Sequence, residues 1–251
     1  MREGDIIQGL AKGLAVIEVF DAAHARLSIT DVAELTGLER ATARRCLLTL
    51  TRLGYASYDG KFFMLTPRVL RLGHSYLAAT PLPGVIQPFL ERLTAATGES
   101  ASASVLDGTD ILYIARASLR RVMSINLSPG TRLPAYCSSM GRVLLAAMPP
   151  AAARGLLERS ERPANTPKTK TDLTALMDEL ALVVRQGYAV IDEELELGLR
   201  SIALPLLNAR GETVAALNIG AQAARIGVDA MVAQYLPQMR AVQQELQPLL
   251  H

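Results

Sequence analysis

The chain has 251 residues, half of them hydrophobic, and 26 Lys and Arg against 24 Asp and Glu give a formal charge of +2. That length admits one large domain or two of ordinary size with substantial cores. The near-neutral balance excludes recognition of nucleic acid by overall charge, so any such contact must be local. Two cysteines make no disulfide framework and no metal spacing, which fits a reducing cytoplasm.

The amino-terminal stretch LAKGLAVIEVF is apolar but broken by Lys12 and Glu18, follows Glu3 and Asp5, and carries no A-x-A-like cleavage site. It reads as neither a signal sequence nor a membrane span, since no run approaches the roughly 18 apolar residues that a span needs. Leu10, Leu14 and Ile17, with Val16 and Phe20 beside them, instead predict a first helix from about residue 7 to Ala23. Ser28 or Thr30 can cap a second helix in which Val32 and Leu35 face inward, and Gly37 supplies the positive φ of a tight turn.

The helix that follows is basic: Arg40 to Arg52 holds four arginines and no acid. Ala43, Cys46, Leu47 and Leu50 recur at i, i+3, i+4 and i+7 as its packing face, leaving Arg44, Arg45, Leu48 and Arg52 outward. Two runs, Tyr55 to Tyr58 and Phe62 to Leu65, flank Asp59-Gly60 as a two-residue hairpin with Lys61 near its tip. A helix pair followed at once by such a hairpin is a winged helix-turn-helix, whose second helix enters the DNA major groove. Arg40, Thr42, Arg44 and Arg45 are placed to read bases, whereas Arg52 and Lys61 are placed on phosphates, and Thr49 on the same helix completes the expected DNA-binding set.

Thr66-Pro67 opens a connector helix with Val69, Leu72 and Tyr76 at helical spacing, and Thr80-Pro81-Leu82-Pro83-Gly84 marks a boundary near residue 80. The predicted organisation is a DNA-binding domain over 1–66, a connector helix and linker over 67–84, and a second domain over 85–251. In that domain Ile86 to Ala96 is helical, and SASASVL and ILYIARA pair through Asp107-Gly108-Thr109-Asp110. RVMSINL over 121–127 alternates as a strand. Ser138 to Ala147 and Thr171 to Gln186 read as helices, YAVID, SIALPLL and TVAALNIG as strands, and Asp229 begins a last helix interrupted at Pro237. Short links between strands, with helices at both ends, predict an α+β fold on a largely antiparallel sheet.

Catalysis finds little support in this inventory. The histidines are His24, His74 and His251, so no Ser-His or Cys-His arrangement forms in the second domain, and no His/Cys cluster suits zinc. No phosphate-cradling glycine loop is present, and the adjacent Glu193 and Glu194 read as solvated. A pocket fits better. Ala135, Tyr136, Cys137, Ser138, Ser139 and Gly141 lie where a helix starts, and free backbone N–H groups there favour an anion. Ser138 or Ser139 equally serves as the helix cap. Cys137 at a helix start also admits a redox-sensing thiol.

Four stretches, TDVAELTGLERATARRCLLTLTRLGY, LPAYCSSMGRVLLA, IDEELELGLRSIALPL and VAALNIG, together resemble the IclR family of bacterial transcription regulators over essentially the whole chain. Within it the chain most resembles the branch that controls aromatic-acid breakdown through the β-ketoadipate pathway. The resemblance implies an α+β architecture of an N-terminal winged helix-turn-helix and a C-terminal GAF-like sensor domain. It also implies a homodimer, commonly a dimer of dimers, acting on double-stranded operator DNA without a cofactor. The implied effector is a small organic acid such as protocatechuate, 4-hydroxybenzoate or β-ketoadipate. Carried over by position, the effector site falls on Ala135, Tyr136, Ser138, Ser139, Gly141, Asp192, Leu199, Arg200, Ser201, Asn218 and Gly220. Arg200 is the residue there that can pair with a carboxylate, or else it forms a structural ion pair.

Overall fold

A computed structural model describes residues 6–21, 23–79, 81–118 and 127–250, and the chain divides into two compact units, Met1–Ala79 and Thr80–His251. The connector helix thereby falls with the first unit. No helix among the described residues is long and apolar enough to cross a membrane.

In the first unit, α1 (Gln8–Glu18) stops short of the expected Ala23. Val16 is fully buried, while Leu10 and Leu14 stand 61% and 45% exposed, so the helix packs through Val16 and the half-buried Ile17 rather than through the two leucines. α2 (Ile29–Thr36) is capped by Ser28 and not Thr30. The Ser28 hydroxyl accepts from the Asp31 amide at 3.3 Å while the Asp31 carboxylate accepts from the Ser28 amide at 2.8 Å, a reciprocal capping box. Gly37, at φ 66°, ends the helix in the left-handed region that an L side chain resists.

α3 (Arg40–Arg52) buries Ala43, Leu47 and Leu50 against its neighbours, with Cys46 half-buried. β1 (Ala56–Tyr58) and β2 (Phe63–Leu65) form the wing, with Tyr58 paired to Phe63, so the connection has four residues and not the two that Asp59-Gly60 predicts. Asp59 is the cause: its Oδ1 accepts from the Lys61 and Phe62 amides at 2.9 and 2.7 Å, closing a wider side-chain-mediated turn. After a 3₁₀ turn over Pro67–Val69, α4 (Leu70–Ala79) lies where a helix is expected.

The second unit runs α5 (Leu82–Thr97), β3 (Ser100–Asp107), β4 (Asp110–Ala117), β5 (Arg132–Pro134), α6 (Ser139–Ala146), α7 (Pro150–Arg159), α8 (Leu173–Gln186), β6 (Ala189–Asp192), β7 (Leu199–Leu207), β8 (Thr213–Gln222) and α9 (Val228–Leu246). The six strands lie in the order β5-β4-β3-β8-β7-β6, every neighbour antiparallel. Apart from Leu127, the strand expected over 121–127 lies outside the described residues. α9 continues through Pro237. Proline removes one helix hydrogen bond, but Tyr235, Leu236 and Met239 around it are buried in the core, and that packing holds the helix together.

Each face of the sheet carries its own core. Ala101, Ala103, Ile114, Ala115, Ile202, Leu204 and Leu217 pack with α5 and α9. Tyr113, Ala203 and Ala216 pack with α6, α7 and α8 on the other side. The pairing of β3 with β4 shifts between Ala103 and Ser104: Ser104 faces Tyr113, Ala103 faces Ala115, and Ser102 faces Arg116. Ile114 is therefore an extra residue, and it shares one face with Ala115. Beyond that bulge the alternation of β4 is inverted, and Arg116 turns to the same face as Tyr113.

Candidate functional sites

In the first unit, the packing of Ala43, Leu47 and Leu50 inward fixes what α3 shows outward. Arg40, Arg44, Arg45, Thr49 and Arg52 are exposed and Thr42 is half-exposed. Lys61 is exposed on the wing loop, its ammonium 5.0 Å from the centre of the Phe62 ring. None of these five cations forms an ion pair among the described residues. Other cations nearby are engaged, as Arg26 is with Asp59 at 2.5 Å. The helix thus presents charge with no ion-pair partner among the described residues, the arrangement that phosphate oxygens and guanine edges complete.

In the second unit a small cavity of about 40 Å³ opens between the sheet and the start of α6. Leu127, Leu133, Met140, Ile191, Leu195 and Leu199 give it apolar walls. Its polar groups come from Ser100, Ser138, Ser139, Ser201, Asn218, Tyr113 and Arg116. Ser138 is the α6 cap, its hydroxyl accepting from the Gly141 amide at 3.2 Å, while Ser201 donates to the Ser139 hydroxyl at 2.9 Å. Burial pushes the Tyr113 phenol up to about 12, so it stays protonated near neutral pH.

Of the expected effector residues, Ser138, Ser139, Leu199, Ser201, Asn218 and Gly220 come together on this cavity. Ala135, Tyr136, Gly141, Asp192 and Arg200 do not line it. A Cβ on Gly141 would lie 2.2 Å from the Ala135 carbonyl oxygen, so this glycine serves the close approach of α6 to the turn before it. Strand alternation explains the other pair. Ile191 and Ser201 are register partners facing the cavity, whereas Asp192 and Arg200 are the next pair and face away. Arg200 donates its Nε to Asp192 at 2.7 Å and its other nitrogens to Asp192 and to the Ala223 and Ile226 carbonyls, the structural ion pair. Lys168 in turn holds Asp192 at 3.0 Å, and these cations keep the Asp192 carboxyl, against its partial desolvation, below the usual range.

Arg116 went unnoticed in the sequence because simple alternation from Tyr113 puts it on the opposite face. Beside the site, Arg142 is 1% exposed and binds Glu194 at 2.6 Å, Glu179 at 3.3 Å and the Tyr136 carbonyl at 3.1 Å, tying α6 to the chain around β6. Cys137 is fully buried, and burial pushes its thiol up to about 11, the direction opposite to that of a reactive helix-start thiolate. No group of three metal-ligating side chains occurs among the described residues.

The chain matches the IclR helix-turn-helix domain over residues 9–60 and the bacterial transcriptional regulator IclR C-terminal domain over residues 74–247. It is 44% identical to the Pca regulon regulatory protein of Pseudomonas putida, over 96% of this chain and 84% of that one. It is 41% identical to the p-hydroxybenzoate hydroxylase transcriptional activator of Acinetobacter baylyi, over 100% of this chain and 94% of that one. Among solved structures it resembles a double mutant of the inducer-binding domain of the Acinetobacter PobR transcription factor, in complex with 3-hydroxybenzoic acid. That match has a TM-score of 0.64 and 36% identity over 67% of this chain and 98% of that one.

Proposed function

Because this chain belongs to the IclR family of bacterial transcription regulators, we propose that it governs a set of genes for aromatic-acid catabolism, binding operator DNA through α3 and the wing and a small organic acid in the cavity beside α6. The observation that carries this reading is the pairing, in one chain, of an uncompensated arginine face on α3 with an apolar cavity that holds one cation, Arg116, among its described lining residues. The relatives' names support the aromatic branch, and the hydroxybenzoic acid of the PobR domain supports the class of effector.

Arg40, Thr42, Arg44 and Arg45 read bases, and Thr49, Arg52 and Lys61 hold phosphates. The protein acts in the cytoplasm as a homodimer that pairs into a dimer of dimers, with no membrane partner. A dimer on a near-palindrome needs its recognition helices one turn of DNA apart, roughly 34 Å. An effector that favours one arrangement of the sensor units shifts that spacing, and by linkage DNA shifts effector affinity by the same factor.

Fluorescence anisotropy tests the whole reading. The purified protein is titrated onto DNA from upstream of its own gene at two salt concentrations, with and without protocatechuate, 4-hydroxybenzoate or β-ketoadipate. Salt-sensitive binding that one acid shifts, and that oxidant leaves unchanged, is the expected result. Binding no tighter than to random DNA, indifferent to every acid, refutes it.

A further inference from the structure

Three side chains on the cavity face stand in one row across the sheet. Ser102 on β3 has Arg116 of β4 as its register partner on one side and Asn218 of β8 on the other. Residues opposite one another in an antiparallel sheet share a face, so two strand spacings separate the Arg116 and Asn218 backbones, roughly 10 Å. Their side chains both line the cavity, together with the leucine, isoleucine and methionine walls.

Both ends of the row lack a complement. Arg116 donates one hydrogen bond, from Nη1 to the Ser102 hydroxyl at 3.0 Å, and has no carboxylate partner among the described residues. Its partial burial pushes the guanidinium below its ordinary value, although it remains charged near neutral pH. A cation drawn out of water with most of its donors free calls for an anion. Asn218 is 8% exposed, and its side-chain oxygen is buried with no hydrogen-bond partner among the described residues. Such an orphaned acceptor costs stability unless something donates to it.

We infer that the cavity selects a single-ring phenolic monocarboxylate bound in one orientation, with the carboxylate on Arg116, the ring between the apolar walls and the hydroxyl on Asn218. The inference rests on the effector reading above and moves the anion from the start of α6, where Ser138 already takes the Gly141 amide, to β4. It also selects among acids. A phenolic hydroxyl donates to the amide oxygen and accepts from the amide nitrogen, whereas a second carboxylate only accepts and faces the orphaned oxygen with like charge. An aliphatic dicarboxylate is disfavoured twice, because it also brings no ring to the apolar walls.

The test is isothermal titration of the full-length protein and its variants with 4-hydroxybenzoate, benzoate, phenol and adipate. For the natural protein, 4-hydroxybenzoate binds tightest, benzoate about tenfold weaker through the lost hydroxyl contact, and adipate weaker still. Arg116→Gln weakens both benzoates by about 30-fold or more and leaves phenol within about threefold. Asn218→Leu brings 4-hydroxybenzoate down to the level of benzoate and leaves benzoate unchanged. Each variant is first checked for the natural melting temperature without ligand. If Arg116→Gln does not fold, Arg116→Lys replaces it, with a loss of about tenfold confined to the two benzoates. Unchanged benzoate binding in the Arg116 variant, or adipate as tight as 4-hydroxybenzoate on the natural protein, overturns the inference. If the natural protein binds none of the four, the effector reading itself fails.

Discussion

The two units use arginine in opposite ways. In the first, Arg40, Arg44, Arg45 and Arg52 stand exposed and form no ion pair among the described residues, which leaves them open to a complement from another molecule. In the second, Arg142 and Arg200 are largely enclosed and engaged by Glu194, Glu179 and Asp192, holding the frame rather than awaiting a ligand. Arg116 belongs to the second unit by position and to the first by its uncompensated charge. What separates a structural arginine from a binding one is whether the chain supplies the counter-charge, and residue type alone does not say.

The largest effect expected on this contrast comes from Arg142→Ala. Removing that guanidinium strands the buried Glu194 carboxylate, and denaturant unfolding should show a loss of about 3–5 kcal/mol. A loss below about 1 kcal/mol would mean that the pair behaves like an exposed one.

Next come the cations of the first unit. Arg44→Ala should cost about tenfold or more in affinity for the operator and little for random DNA, whereas Lys61→Ala should weaken both alike and reduce the salt slope by about one. Equal losses on both DNAs for Arg44→Ala would remove it from the base-reading set. Arg200→Gln sharpens the contrast from the other side. Because Arg200 faces away from the cavity, the substitution should lower the melting temperature yet leave the affinity ratio of 4-hydroxybenzoate to benzoate unchanged. A changed ratio would return the anchor to β7.

The smallest effect concerns Asp59. Hydrogen bonds from the Phe62 and Lys61 amides, with Arg26 beside them, lower its carboxyl from 3.8 to about 2. A group depressed in the folded state contributes stability that is present above its unfolded value and is lost as pH falls through the folded one. The wing loop should therefore keep its structure down to about pH 4 and loosen between there and about pH 2, with the Asp59 carboxyl titrating near 2 by NMR. A midpoint near 4 would show that the turn does not hold the carboxylate.

These regions also differ in how much of them the sequence discloses. α3 is legible because Ala43, Leu47 and Leu50 keep helical phase without interruption, so the outward set follows by geometry. The strands of the second unit are legible as strands, since turns at Gly108 and Gly187 bound them. Their facing is less so. The carried-over pair Asp192 and Arg200 is one residue out of phase with Ile191 and Ser201, and a strand converts that single step into the opposite side of the sheet. The wing turn is two residues wider than the Asp59-Gly60 signal because Asp59 folds back on the backbone, which a dipeptide signal does not register. Leu10 and Leu14 show the same limit in α1: their spacing predicts a packed face, and the structure leaves both exposed.

The bulge at Ile114 bears on how relatives of this chain diverge. β4 is read in two frames, one up to Tyr113 and another from Arg116, with Ile114 and Ala115 together filling the core that belongs to α5 and α9. A chain lacking the extra residue but recognising the same kind of acid would have to place its cation two positions after the tyrosine instead of three. Gain or loss of one residue in this strand can therefore exchange the ligand of the whole regulator while every wall of the cavity keeps its composition. Spacing along β4, more than identity at any one position, is the heritable record of what the cavity accepts.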